Sequence, residues 1–189
     1  MDIVCLYDQR RLDPSVVASV AATHPFLVDS SGRLAPSRGF QDPATYVPSL
    51  PLPREPAEET EPVLAVDAAP RLAPLRHQLG ATLTALVPDR DQADDLHLAA
   101  SEIAANAFRH GTPPVSARMW VGPDQLICEI GDRGSAFADP LAGFQPAHGA
   151  DLSRGGMGLW LARKLWDSVD LLPGPDGLTV RLGTRLHPA

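Results

Sequence analysis

The sequence predicts an α+β protein: a two-layer α/β sandwich, with an antiparallel sheet carrying its helices on one face and a small βαβ-like appendage at the N-terminus. Three observations lead there. Leu96, Ala99, Ala100, Ile103 and Ala107 recur at helical spacing within residues 91–110, giving a long amphipathic helix. Residues 115–121 and 126–130 read as two short strands around the turn Gly122-Pro123-Asp124. From 63 onward the order is strand, helix, helix, two strands, glycine-rich loop, helix, two strands, which is the pattern of a sheet with helices packed on one side.

The appendage comes first. Residues 3–7 read as a short buried strand. Asp13 can cap a helix that has Pro14 at its first position and Val16, Val17, Val20 and Ala21 at helical spacing. That helix ends near Thr23-His24, before Pro25. Phe26-Leu27-Val28 reads as a strand and Ser30-Ser31-Gly32 as a turn. Between Pro43 and Pro62 six prolines and four glutamates stand among few apolar residues, which predicts an extended, partly polyproline-like linker. The domain division is therefore 1–47, a linker at 48–62, and 63–187.

In the larger domain Val63 to Val66 is a strand. A helix opens at Ala69-Pro70 and runs to about Val87, with Leu72, Leu75, Leu79, Leu83 and Leu86 on one face. Pro88-Asp89 starts the long helix and Gly111 stops it. Residues 131–154 form a long irregular loop. Loops of that length in a compact domain are usually lids or binding loops, so this one is expected to be mobile without ligand. Residues 158–166 are helical, and 169–172 and 178–186 are the last strands, joined at Pro173 to Gly177.

Composition narrows the function. The chain has 189 residues, 44% hydrophobic and 21% charged, enough for one packed domain plus an appendage. Sixteen basic against 23 acidic residues leave a formal charge of −7, which disfavours a nucleic-acid surface. Cys5 and Cys128 have no metal-ligand spacing and suggest reduced thiols. No apolar run approaches membrane-spanning length, so the expected location is the cytoplasm.

Three clusters carry chemistry. Glu102 and Asn106 are four apart and share a helical face, with His110 one turn further on. Asp132-Arg133-Gly134 closes a strand. Arg154-Gly155-Gly156-Met157-Gly158-Leu159 opens a helix, where backbone amides and the helix dipole favour phosphate. A carboxylate at a strand end can accept from an exocyclic amine such as adenine's. An Asn oxygen suits Mg²⁺, and a nearby Glu can take a proton from an attacking water or hydroxyl. The glycine run is neither a Rossmann fingerprint nor a P-loop: Leu161 stands at the third glycine position, and no Gly-Lys-Ser or Gly-Lys-Thr occurs.

In this order the clusters resemble the GHKL ATPases: gyrase, heat-shock chaperones, histidine kinases and anti-sigma-factor kinases. Glu102 to Ala107 looks like the family's N box, Asp132-Arg133-Gly134 its first glycine box, Gly156-Met157-Gly158-Leu159 its second, and Thr179 its late-strand Thr at the adenine site. The resemblance covers about residues 63 to 187 and implies the Bergerat ATP-binding fold, with ATP and Mg²⁺ as cofactors. Asn106-Ala107 followed by His110, and the Gly-Met-Gly-Leu box, are similar to the anti-sigma serine kinase branch. His77 has no acidic neighbour after it and reads as solvent-facing rather than phospho-accepting. One departure stands out: Ser135-Ala136 replaces the second glycine of the first box, which implies weaker nucleotide binding. The first 47 residues resemble the C-terminal end of a MEDS sensory domain on Cys5-Leu6-Tyr7-Asp8, Thr23-His24-Pro25 and Tyr46.

The resemblance to the anti-sigma serine kinases implies a kinase acting on a Ser or Thr of an anti-sigma-factor antagonist and sequestering a sigma factor. Glu102 would be the base and Asn106 the Mg²⁺ ligand. Asp132 would read adenine, while His110, Gly134, Arg154, Gly156, Met157, Gly158, Leu159 and Thr179 would complete the nucleotide site. Two alternatives stay open: a catalytically weak interaction module, and the ATP-binding half of a split sensor histidine kinase. The oligomeric state is also open, a homodimer included.

Overall fold

Asp13 turns its carboxylate onto the amide of Ser15 at 2.8 Å and starts α1 (Pro14–Thr23) where the Asp-Pro pair predicts it. The computed structural model describes residues 4–134, 139–146, 156–175 and 177–186. It divides into two compact units, Met1–Pro51 and Leu52–Ala189.

In the first unit α1 is followed by β1 (Phe26–Val28), β2 (Leu34–Pro36) and α2 (Pro43–Ser49). Asp29 closes the β1–β2 turn by accepting from the amides of Ser31 and Arg33, with Gly32 at φ +81°. β1 pairs antiparallel with β2, Phe26 opposite Pro36. The strand expected at 3–7 does not form in its described part, residues 4–7. Closing a short hairpin costs less loop entropy than bringing a strand back across a helix, so β2 takes the edge of β1. The appendage is thus a helix, a hairpin and a helix.

The extended reading of the proline-rich segment also needs correction. Asp42-Pro43 caps and opens α2, and Glu55-Pro56 opens a 3₁₀ turn, Pro56–Glu59. Proline at the first helical position is pre-organised for a helix start, which composition alone reads as a break.

The second unit holds β3 (Leu64–Ala69), α3 (Leu72–Leu86), α4 (Arg90–His110), β4 (Val115–Val121), β5 (Gln125–Asp132), α5 (Gly156–Leu165), β6 (Ser168–Gly174) and β7 (Gly177–Arg185). Its sheet is antiparallel throughout, in the order β3-β4-β5-β7-β6. The α+β two-layer architecture is as expected. Leu75, Leu79 and Leu83 of α3 and the Leu96–Ile103 stripe of α4 are buried against Ala117, Met119, Leu126, Cys128, Ile130 and Leu182 of the sheet. Strand alternation sends Trp120, Ile127 and Arg181 to the opposite, outer face. Cys5 and Cys128 are free thiols, and burial pushes Cys128 far up. No helix among the described residues is long and apolar enough to cross a membrane.

Candidate nucleotide site

The site is laid out along α4. Asp89 caps this helix by accepting from the amides of Asp91 at 2.9 Å and Gln92 at 3.2 Å, and Gly111 ends it. Buried Ser101 and Ile103 beside Glu102, and buried Ala105 and Ala107 beside Asn106, fix the rotation of the helix, so both polar side chains stand half-buried at one edge of the apolar stripe. The start of α5 lies against that edge. A Cβ placed on Gly158 would come within 2.8 Å of Asn106 Nδ2 and 3.3 Å of the Glu102 Cβ. Only glycine allows the helix start this close to the Glu102 stem and the Asn106 carboxamide. Leu159 next to it is buried, while Met157 is exposed.

α3 brings a residue that the motif reading missed. Arg76 Nη2 lies 3.5 Å from Glu102 Oε1, and Arg76 Nε is buried without a hydrogen-bond partner among the described residues. Two features set that approach. A Cβ on Gly80 would meet the His97 ring at 2.8 Å, so α3 and α4 cross tightly there. The His97 Nε2 is 2.9 Å from the carbonyl oxygen of Arg76, which ties the two helices together one turn away. The sequence signal was Arg76 beside the apolar face of α3, but which neighbour it would meet is a matter of helix crossing.

The other end of α4 meets Asp132 on the same face of the sheet. Asp132 is caged by glycines: a Cβ on Gly111 or Gly134 would strike its carboxyl group, and one on Gly177, at φ +147°, would strike its backbone. Its Oδ1 accepts from the amides of Gly134 at 2.6 Å and Thr112 at 3.4 Å, which leaves Oδ2 for another donor. The amide of Arg133 donates to the carbonyl of Thr112 at 2.8 Å, joining the end of β5 to the turn after α4. Gly111 stands nine positions after Glu102, about 13 Å along the axis at the usual rise. A nucleoside at Asp132 and its phosphate chain towards Gly158 can bridge that span.

Not every candidate residue converges here. His110 is exposed at the last turn of α4. Thr179 pairs with Gly131 in the β5–β7 register, so it lies on the outer face, opposite Asp132. There it lines a cavity of about 370 Å³ with Ser116, Arg118, Gly131 and Asp132. Arg154 and the Ser135-Ala136 departure lie outside the described residues, as does Gly149 of the long loop. The described part of that loop, 139–146, is anchored. Gly143, at φ +80°, lies so close to Leu159 that a Cβ would fall 2.8 Å from the leucine's own. Arg163 Nε donates to the Ala142 carbonyl at 3.0 Å, and its guanidinium sits 4.0 Å from the centre of the Phe144 ring. These contacts argue against a wholly mobile lid at 139–146.

Residues 64–184 match the model of the histidine kinase-like ATPase domain. The chain belongs to the histidine kinase-like ATPase domain family. Within this family it resembles proteins named serine-protein kinase RsbW. It is 34% identical to that of Bacillus subtilis over 108 residues, 51% of this chain and 67% of the relative. It is 36% identical to that of Bacillus licheniformis over 109 residues, with the same coverage. The fold is similar to that in the crystal structure of the RsbU and RsbW domains of Rv1364c from Mycobacterium tuberculosis. That likeness has a TM-score of 0.50 at 23% identity and covers 69% of this chain, but the chain spans only 34% of that longer protein. Nucleotide use goes with an ATPase domain of this kind, and the glycine approaches at 111, 134 and 158 are the kind of backbone cradle that a nucleotide needs.

Proposed function

We propose that this chain is an ATP-dependent protein serine/threonine kinase of the anti-sigma type. Its substrate would be a Ser or Thr hydroxyl on an anti-sigma-factor antagonist, and it would hold a sigma factor when that antagonist is phosphorylated. One observation carries the reading: Gly158, at the start of α5, is seated directly on Glu102 and Asn106. This puts a phosphate-favouring helix start beside the two residues whose carboxylate and carboxamide can serve a phosphate and its metal.

In this reading the substrate hydroxyl attacks the γ-phosphorus, the bond from that phosphorus to the β–γ bridging oxygen breaks, and ADP leaves. Glu102 accepts the hydroxyl proton. Asp132 Oδ2 accepts from the adenine amine while Oδ1 is held by the amides of Gly134 and Thr112. Asn106 would hold Mg²⁺, which neutralises charge on the phosphates. Among the described residues no three His, Cys, Asp or Glu side chains cluster as a metal site. An ion at Asn106 would accordingly take most of its oxygens from phosphate and water. The kinase domain would begin with the segment near Leu52 rather than at Val63.

A second reading, an interaction module with little catalysis, draws on the Arg76–Glu102 pair, which occupies one oxygen of the proposed base. Incubation with Mg-[γ-³²P]ATP and a cognate antagonist separates the two. Label on the antagonist's Ser or Thr supports the kinase; tight antagonist binding without label favours the module.

A further inference from the structure

Residues 53–60 lie on the sheet face that the helices leave bare. No strand pairing holds them there among the described residues; side chains do. Arg181 of β7 points outward yet keeps only 7% of its side chain exposed. Its Nη1 donates to the Pro53 carbonyl at 2.7 Å and to Glu58 Oε2 at 3.2 Å. Its Nε and Nη2 donate to Asp170 of β6 at 3.2 and 2.9 Å. The Trp120 indole donates to the Thr60 carbonyl at 3.1 Å, and Ala57 packs on Trp120 and Ile127.

These contacts have a recognisable logic. A buried guanidinium requires carboxylate partners, and the sheet supplies only part of them. Glu58, with 1% of its side chain exposed, completes the set from the segment itself. The apolar contribution is one methyl group, that of Ala57, so the glutamate and two backbone carbonyls define the fit.

We propose that this face is a docking surface for a short acidic segment carrying a small apolar residue directly before its glutamate, and that residues 53–60 fill it as an exchangeable ligand held in cis. The complementary partner is an acidic segment because the recognising group is a buried cation. Exchange is feasible because the segment shares no strand hydrogen bonds with the sheet and relies on charge.

The surrounding charges make the dock sensitive to pH. Glu58 faces Arg181 of β7 and Glu129 of β5, and Arg54 of the segment itself acts on Glu129; Asp170 of β6 and Arg118 of β4 flank the cluster by register, Arg118 being paired with Asp67. Burial, then the hydrogen bond and charge of Glu58, push the Glu129 carboxyl above its ordinary range, against the pull of Arg54 and Arg181. Ionising Glu129 at higher pH sets a second negative charge beside Glu58 and loosens the segment.

The test uses the full chain, its Glu58→Ala variant, and a labelled synthetic peptide with the sequence of residues 52–62. Hydrogen exchange reads the Glu58 and Thr60 amides, bonded to Glu55 and Ala57 carbonyls, and the Trp120 indole. Glu58→Ala should speed exchange at these positions at least tenfold and create saturable peptide binding. The wild-type chain should not bind the peptide, because a tethered segment competes at an effective concentration on the order of millimolar. A peptide with alanine in place of its glutamate should bind neither. If Glu58→Ala does not fold, Glu58→Gln, which keeps the side-chain shape, is read the same way. Unchanged protection in the variant, absence of peptide binding to it, or binding that ignores the peptide's glutamate overturns the proposal.

Discussion

The guanidinium of Arg76 on α3 stands 3.5 Å from the carboxylate of Glu102 on α4, with its own Nε buried and unpartnered among the described residues. A charge held this way orients the carboxylate at some cost, since an unsatisfied buried donor is worth about 1–3 kcal/mol. Removing it should therefore disturb the base more than the nucleotide. Arg76→Met is expected to lower phosphotransfer roughly 10²-fold, the effect of slight misplacement of a reacting group. ATP affinity by calorimetry should stay within about threefold, a difference below 1 kcal/mol. Equal losses in both would show that Arg76 binds nucleotide instead.

Glu102→Ala and Asn106→Ala separate base from binder. Loss of a general base costs about 10² to 10⁴ in rate and leaves binding largely intact. Glu102→Ala should thus titrate with ATP as wild type does and transfer no phosphate. Asn106→Ala should instead lose the Mg²⁺-dependent part of ATP binding. A folded Asn106→Ala chain with unchanged Mg-ATP affinity rules that ligand out.

Two glycine substitutions should differ in kind. The Cβ of Gly158→Ala meets Asn106 Nδ2, the end of a side chain that can move aside. Little change in melting temperature is expected, together with weakened Mg-ATP binding. The Cβ of Gly111→Ala falls inside the caged Asp132 carboxyl and against the Ala107 carbonyl, where nothing can yield cheaply. Overpacking of that kind costs about 1–3 kcal/mol, readable by denaturant titration.

Stability should depend on pH through Glu129. Its carboxyl is raised in the folded chain by burial and by Glu58, so the folded state holds the proton more tightly than the unfolded state. That contribution is fully present below the unfolded value and is lost as pH rises through the folded one. Glu129→Gln should remove this alkaline-going loss. An unchanged pH slope in the variant assigns the effect to another group.

Hydrogen exchange should divide the long loop. The Leu141, Ala142 and Phe144 amides are hydrogen-bonded within the loop, and Arg163 holds the Ala142 carbonyl. These amides should exchange slowly before any nucleotide is added. Fast exchange there would mean that the contacts to α5 are transient.

Local chemistry made much of this molecule legible in its sequence. Asp13-Pro14 and Asp89 start their helices, the Leu75, Leu79, Leu83 and Leu96 to Ile103 stripes bury as their spacing requires, and Gly122 to Asp124 turns β4 into β5. Such features depend on neighbours within a few residues, and helix and strand periods carry them directly. The order of the polar and glycine clusters indicated the family for the same reason. Tertiary structure decided the rest. Strand register put Thr179 on the face opposite Asp132, because a side-chain period of two makes one residue the difference between faces. Helix crossing at Gly80 and His97 brought Arg76 to Glu102. A buried guanidinium on β7 gathered Glu58 and the Pro53 carbonyl out of a segment whose composition reads as unfolded. Each of these joins residues far apart in the chain, and their meeting depends on packing and register that no local pattern encodes.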